Sequence, residues 1–179
     1  MIEALLALIE AGDLRPTAPR VAERAGVSLR SVFQHFDDME ALVAEASDIA
    51  LARVQPLMRP LPVEGTLESR VSAWAAQRSR IYEAVSAVRR AAALQEPFSP
   101  VLARMRERSH HWSEAEIETV FGAELGFRAL AERRELLAAI EAATSGDVWD
   151  HLRLRNGLTP AAARRALERI LVSLLTTRG

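Results

Sequence analysis

No cysteine occurs among the 179 residues, so the chain has no disulfide and no thiolate metal site. Such a composition fits a reducing compartment. Lysine is missing as well: all 23 basic residues are arginine, a bias that GC-rich coding explains more simply than function does. Aromatics make up only 5%, and β-branched residues are few, which removes much of the material of strands. No apolar run approaches the ~20 residues that a membrane helix needs. The start Met1-Ile2-Glu3 lacks the positive charge that opens a signal peptide. There is no internal repeat, no low-complexity tail, no nucleophile motif and no glycine-rich phosphate loop. These absences argue against an enzyme, a membrane protein and a secreted disulfide scaffold.

What remains is helical material. Hydrophobic residues make up 49% of the chain, alanine is abundant, and charged residues make up 26%. An all-α protein follows, long enough for one or two small domains with a real core.

The most informative stretch is Thr17 to Leu42, TAPRVAERAGVSLRSVFQHFDDMEAL. Thr17 is a good N-cap, and Pro19 fits the first turn, where its missing N–H is not needed. Val21, Ala22 and Ala25 form a small apolar face, and Gly26 supplies the positive φ of a sharp helix exit. Val27 can plug the gap between two helices. Ser28 caps a second helix running to His35, with Val32 and Phe36 inward. Asp38 caps a third that begins Met39-Glu40-Ala41-Leu42. Helix, glycine turn, helix is the plan of a helix-turn-helix, whose second helix lies in the major groove. Ile2, Leu5, Leu6 and Ile9 form a helix ahead of it that stops at Gly12.

AERAGVS, then a short helix ending in Phe-x-His-Phe, an acidic cap and Glu-Ala-Leu, closely resembles the DNA-binding domain of the TetR family of bacterial transcriptional regulators. The resemblance covers about the first 47 residues. It implies a bacterial, cytoplasmic, homodimeric regulator that binds a double-stranded DNA operator and answers to a small-molecule effector. It implies that Thr17, Ser28, Leu29, Arg30, Ser31, Phe33, Gln34 and His35 face the DNA. The side-chain chemistry agrees. Arg30 can pair bidentately with guanine and Gln34 with adenine, and Thr17, Ser28 and His35 can donate to phosphates.

Three departures from the family pattern stand out. Phe33 occupies a position that is usually Tyr, and its ring cannot meet a phosphate. Met39 stands where the family often has Lys. The family often has a basic arm before the first helix, whereas this chain begins inside that helix; the arm lies upstream of Met1 or the protein manages without it. Charge is also unhelpful: residues 1–47 hold four arginines against eight acids, a net −4, while the remainder holds 19 arginines against 16 acids, a net +3. A DNA-binding domain normally shows a basic patch. The rival reading is therefore a helical protein-interaction module with a degenerate helix-turn-helix that no longer binds DNA.

Met39 to about Gln55 reads as a long fourth helix. Domains are assigned as a helix-turn-helix DNA-binding domain over 1–47 and a ligand-binding and dimerisation domain over 48–179. The one proline-rich break, 55–65, marks where the chain passes on. Beyond it the pattern gives further helices, about nine in all. Leu67, Val71, Trp74, Ile81, Val85 and Val88 form a stripe on which Arg78 also falls. A charge on an apolar face needs a partner. An internal salt bridge or an outward-reaching edge arginine satisfies that need. The sharper alternative is an effector site of Trp74, Gln77, Arg78, Tyr82, Met105 and Trp112, in which Arg78 meets an acidic ligand.

Ser99-Pro100 starts the next helix. Ser113 to Glu116 has capping-box form, which either restarts a helix or lies inside a continuous one. Phe121 to Phe127, with two glycines, reads as a connection. His110 and His111 are adjacent, so their rings point about 100° apart on a helix; with no third ligand, neither a metal nor a cofactor is expected. Ser145 caps a short helix that Asn156-Gly157 stops, and Thr159-Pro160 opens the last one. The breadth of that final apolar face suggests a partner. In the family the last two helices pair across a twofold, which implies a homodimer interface of Trp149, Leu152, Leu167, Ile170, Leu171 and Leu174. The alternative is that this face is intramolecular core.

Overall fold

The computed structural model describes residues 1–177 and is all-α over them, without strands. Its helices are α1 (Ile2–Glu10), α2 (Ala18–Ala25), α3 (Leu29–His35), α4 (Met39–Val54), α5 (Leu67–Ala93), α6 (Pro100–Gly126), α7 (Leu130–Ala143), α8 (Gly146–Asp150) and α9 (Pro160–Thr176). Two compact units emerge. The first combines residues 1–56 with 84–107, and the second combines 57–83 with 108–179.

In the first unit, local signals set the helix ends. Gly12 exits α1 at φ 99°, and Gly26 ends α2 in the left-handed region at φ 66°, both conformations that favour glycine. Ser28 Oγ accepts from the backbone N–H of Ser31, and Asp38 Oδ1 from that of Ala41, which starts α3 and α4. Thr17 sits at the N-cap of α2 but makes no side-chain cap bond, so the cap its hydroxyl could form is not used. Leu5, Leu6 and Ile9 of α1 pack with Val21 of α2 and Leu42, Val43 and Ala46 of α4. Val88, Ala91 and Leu102 complete that core. A smaller cluster of Ala18, Ala22 and Val32 holds α3 against α2. Ion pairs join Arg20 to Asp13 and Arg53 to Glu3 on the outside.

In the second unit, Val71, Trp74, Ile117, Val120, Phe121, Leu125, Ile140 and Leu171 form the main core. A second cluster joins Trp149, Ala163 and Leu167, with Tyr82 against it. The connection that the glycines of 121–127 suggest is instead helix as far as Gly126, bent at Phe121 (φ −114°, ψ 19°). A bend frees a carbonyl, and Arg70 fills the gap. Its Nη1 donates to Val120 O at 2.6 Å and to Glu124 Oε2 at 3.0 Å, and its Nη2 pairs with the other carboxylate oxygen. The capping-box pattern at Ser113 lies inside the continuous α6. α8 runs on into a widened π turn over His151–Arg155, ended by Gly157 at φ 66°.

Candidate nucleic-acid interface and a buried arginine

α3 is seven residues long, and one side of it is sealed. Val32 is buried and Phe36 half-buried, while Leu29, Arg30, Phe33, Gln34 and His35 are exposed, as are Ser28 at its start and Thr17 at the start of α2. Of the eight residues proposed to face DNA, seven are exposed and Ser31 is half-buried; seven lie on α3 or its cap, and Thr17 is at the start of α2.

Three of them are engaged in ways the sequence does not reveal. Ser28 Oγ and Ser31 Oγ lie 2.8 Å apart and share a hydrogen bond. His35 Nδ1 is 2.9 Å from Ser31 O. A carbonyl only accepts, so Nδ1 is the donor in that bond. His35 thus spends Nδ1 on its own helix.

Of the residues grouped as an effector site, five fall in the second unit. Arg78 is buried at 3% exposure, with its guanidinium 4.2 Å from the Trp112 ring centroid and 5.1 Å from that of Trp74. Glu116 meets it at 2.7 Å. Gln77 donates to Glu116 Oε1 at 3.3 Å, and its own Oε1 accepts from the Arg59 N–H at 3.0 Å. The charge on the apolar stripe is thus answered from inside the chain, the internal salt bridge that the stripe allows. Burial pushes the Glu116 carboxyl above its usual range, against the pull of Arg78. Glu116 is the member that sequence reasoning missed. Its place in an apparent capping box hid it, although it lies on α6 as a potential counter-charge.

Tyr82 is turned to other work: its hydroxyl donates to Thr144 O at 2.8 Å, and its ring lies 6.0 Å from that of Trp149. Met105 is a correction. Its side chain packs on the core of the first unit, whereas the other five belong to the second. A cavity of about 320 Å³ lies in the first unit, lined by Arg15, Met39, Glu40, Leu94, Phe98 and Ser99 among others. None of the six proposed effector residues lines it.

The dimer set also divides. Trp149, Leu167 and Leu171 are at most 1% exposed within the single chain, so they belong to its own core and have no surface left for a partner. Leu152, Ile170 and Leu174 are half-buried and retain some. Trp149 is further fixed by donating from Nε1 to Glu83 Oε1 at 2.9 Å, and Arg153 grips the same carboxylate at 2.8 and 3.2 Å. The Arg153 hydrogen bond holds the Glu83 carboxyl below its ordinary range. His110 Nδ1 is 3.0 Å from Glu141 and its Nε2 3.6 Å from Glu114, so carboxylates face both ring nitrogens.

Residues 1–46 match the family model described as bacterial regulatory proteins, tetR family. No match is found among the curated proteins. Among solved structures, the chain is similar to a transcriptional regulator from Rhodococcus sp. Rha1. The two share 22% identity and a TM-score of 0.72, over 97% of this chain and 93% of that one. It is also similar to a putative transcriptional regulator from Pseudomonas aeruginosa PAO1, at 20% identity and a TM-score of 0.70, over 97% and 88% of the two chains. Residues 1–46 thus match the tetR family of bacterial regulatory proteins, and over nearly its whole length the chain shares the fold of those two solved structures.

Proposed function

We propose that the protein is a homodimeric, ligand-responsive repressor that leaves a pseudo-palindromic operator when a small molecule binds. The observation that carries this reading is α3, which is sealed on one side by Val32 and open on the other with Arg30 and Gln34 presented. Those two side chains have the donor and acceptor geometry to read guanine and adenine edges in the major groove. Residues 1–47 form the DNA-binding domain in this scheme, and 48–179 serve for effector binding and dimerisation. Two α3 helices about 34–36 Å apart, or a multiple of that, fit successive major grooves.

The effector region in this reading is the set Trp74, Gln77, Arg78 and Trp112 around Glu116, with Tyr82 beyond it. An effector that prefers the spacing unsuited to the operator weakens DNA binding by the ratio of its affinities for the two forms. The family and the neighbouring folds are those of regulators, not of catalysts, and the reading assigns no catalytic role.

The rival reading, a protein-interaction module, is favoured by one observation: the net −4 of residues 1–47. Electrophoretic binding to the DNA upstream of the protein's own gene separates the two. A regulator shifts that DNA at low salt and loses it steeply as salt rises. It also loses roughly fivefold to 150-fold in affinity with Arg30→Ala, since a bidentate base contact is worth about 1–3 kcal/mol. An interaction module shifts nothing at any salt concentration.

A further inference from the structure

α3 exposes more apolar surface than a water-facing helix has use for. Phe33 is 52% exposed and Leu29 43%, and Val27, in the turn just ahead, is 38% exposed. These are three neighbours on one small element, and clustered apolar exposure marks a contact surface in a way that scattered residues do not. Their arrangement around the helix is specific. At about 100° per residue, Leu29 and Phe33 form one stripe at i and i+4, and Arg30 and Gln34 form a second beside it. The polar stripe lies opposite Val32, and the apolar stripe is its shoulder. Phe33 carries no polar atom, so a phosphate is not its partner.

We infer that Leu29 and Phe33, flanked by Val27, read the C5-methyl groups of thymines next to the bases that Arg30 and Gln34 contact. This deepens the DNA-binding reading above and rests on it. The chemistry of the major groove supplies the fit. An A·T pair presents, in order, adenine N7 and N6, then thymine O4 and the methyl. A glutamine on N7 and N6 leaves that methyl uncovered, and the apolar stripe beside Gln34 has the chemistry to cover it. The operator half-site thus carries thymines beside its adenine and guanine contacts. A methyl buried against a side chain is worth about a threefold to fivefold change in affinity.

The test uses the full chain and a pool of random 20-base-pair duplexes. Duplexes selected from the pool have thymines replaced one at a time by deoxyuridine, which deletes the methyl and nothing else. The expected result is a threefold to fivefold loss at one or two positions per half-site. At those positions the difference between thymine and uracil shrinks towards one with Leu29→Ala or Phe33→Ala. The ratio is read within each variant, so a general loss of affinity does not mimic it, and either variant alone suffices. Selected duplexes that tolerate uracil at every position would overturn the inference while leaving DNA binding intact. A pool that yields no selected duplex would overturn the DNA-binding reading, and this inference with it.

Discussion

Arg78 is the residue whose position asks most of the chain. Taking a guanidinium out of water is costly, and attraction to a carboxylate repays it only with good geometry. Two indole rings and Glu116 supply that geometry. Glu116 in turn depends on Arg78, because burial already raises its proton affinity. Replacing Arg78 by Met keeps the bulk but leaves the carboxyl without its cation. The folded-state pKa of Glu116 then rises further above its unfolded value. An acid with a raised folded pKa adds no charge-burial cost while protonated. It destabilises the fold as pH climbs from the ordinary carboxylate range through the raised value. Arg78→Met is therefore expected to cost about 3 kcal/mol at pH 8 and distinctly less near pH 5, as read by urea unfolding at the two pH values. Equal losses at both would show that Glu116 is not the group left stranded. The stripe around Trp74 shows in the sequence that Arg78 needs a partner. Which of the 24 acids supplies it depends on how α6 lies against α5, and no local pattern encodes that.

At the scale of elements, ends were more legible than middles. Caps and turn glycines act within four or five residues, so Ser28, Asp38, Ser99, Ser145 and Thr159 could be found by inspection. Gly26 is the clearest case. Beyond its chain neighbours, no atom lies within 4 Å of where its Cβ would be, so its φ of 66° is the main constraint. Gly26→Ala is expected to cost about 1–2 kcal/mol from backbone strain alone, seen as a lower midpoint in thermal unfolding with helix content unchanged. The bend of α6 was not legible. Gly122 and Gly126 look like a loop until Arg70, some fifty positions earlier, caps the freed carbonyl and Glu124. The Arg70 hydrogen bond holds the Glu124 carboxyl below its ordinary range. A depressed carboxylate stabilises the fold above its unfolded pKa, and that contribution is lost as pH falls through the folded value. Glu124→Gln is expected to lose about 1.5–3 kcal/mol at pH 7, the worth of hydrogen bonds to a charged group. The variant's stability should then fall less than the parent's between pH 5 and pH 3, by urea unfolding. A parallel fall in both proteins would remove Glu124 from the acid response.

For the whole molecule, the question is what the apolar side of α9 faces. Its periodicity shows that a broad face exists but not how much of it the chain covers by itself. Ala163, Leu167, Leu171 and Leu175, four apart, are buried in the single chain, and Ile170 and Leu174 lie at the margin of that row, half-exposed. If this margin is the seam between two copies, Ile170, half-exposed beside buried Leu167 and Leu171, is a position to charge. Ile170→Glu puts a carboxylate on both sides of a twofold, where an isologous contact sets each copy's change against the same surface of the other. The fold within one chain loses little. Sedimentation equilibrium should then give a single-subunit mass at micromolar concentration where the parent gives a dimer, with the helical circular dichroism signal retained. The same change separates the two half-sites energetically. In a dimer the second α3 binds at the high effective concentration set by the first, and a monomer forfeits that gain. Affinity for a full operator should therefore fall by a hundredfold or more, roughly the scale of such linkage, while the thymine-over-uracil preference within one half-site persists. A dimeric Ile170→Glu protein would place the seam elsewhere on the chain and remove α9 from the account of how two reading helices are spaced.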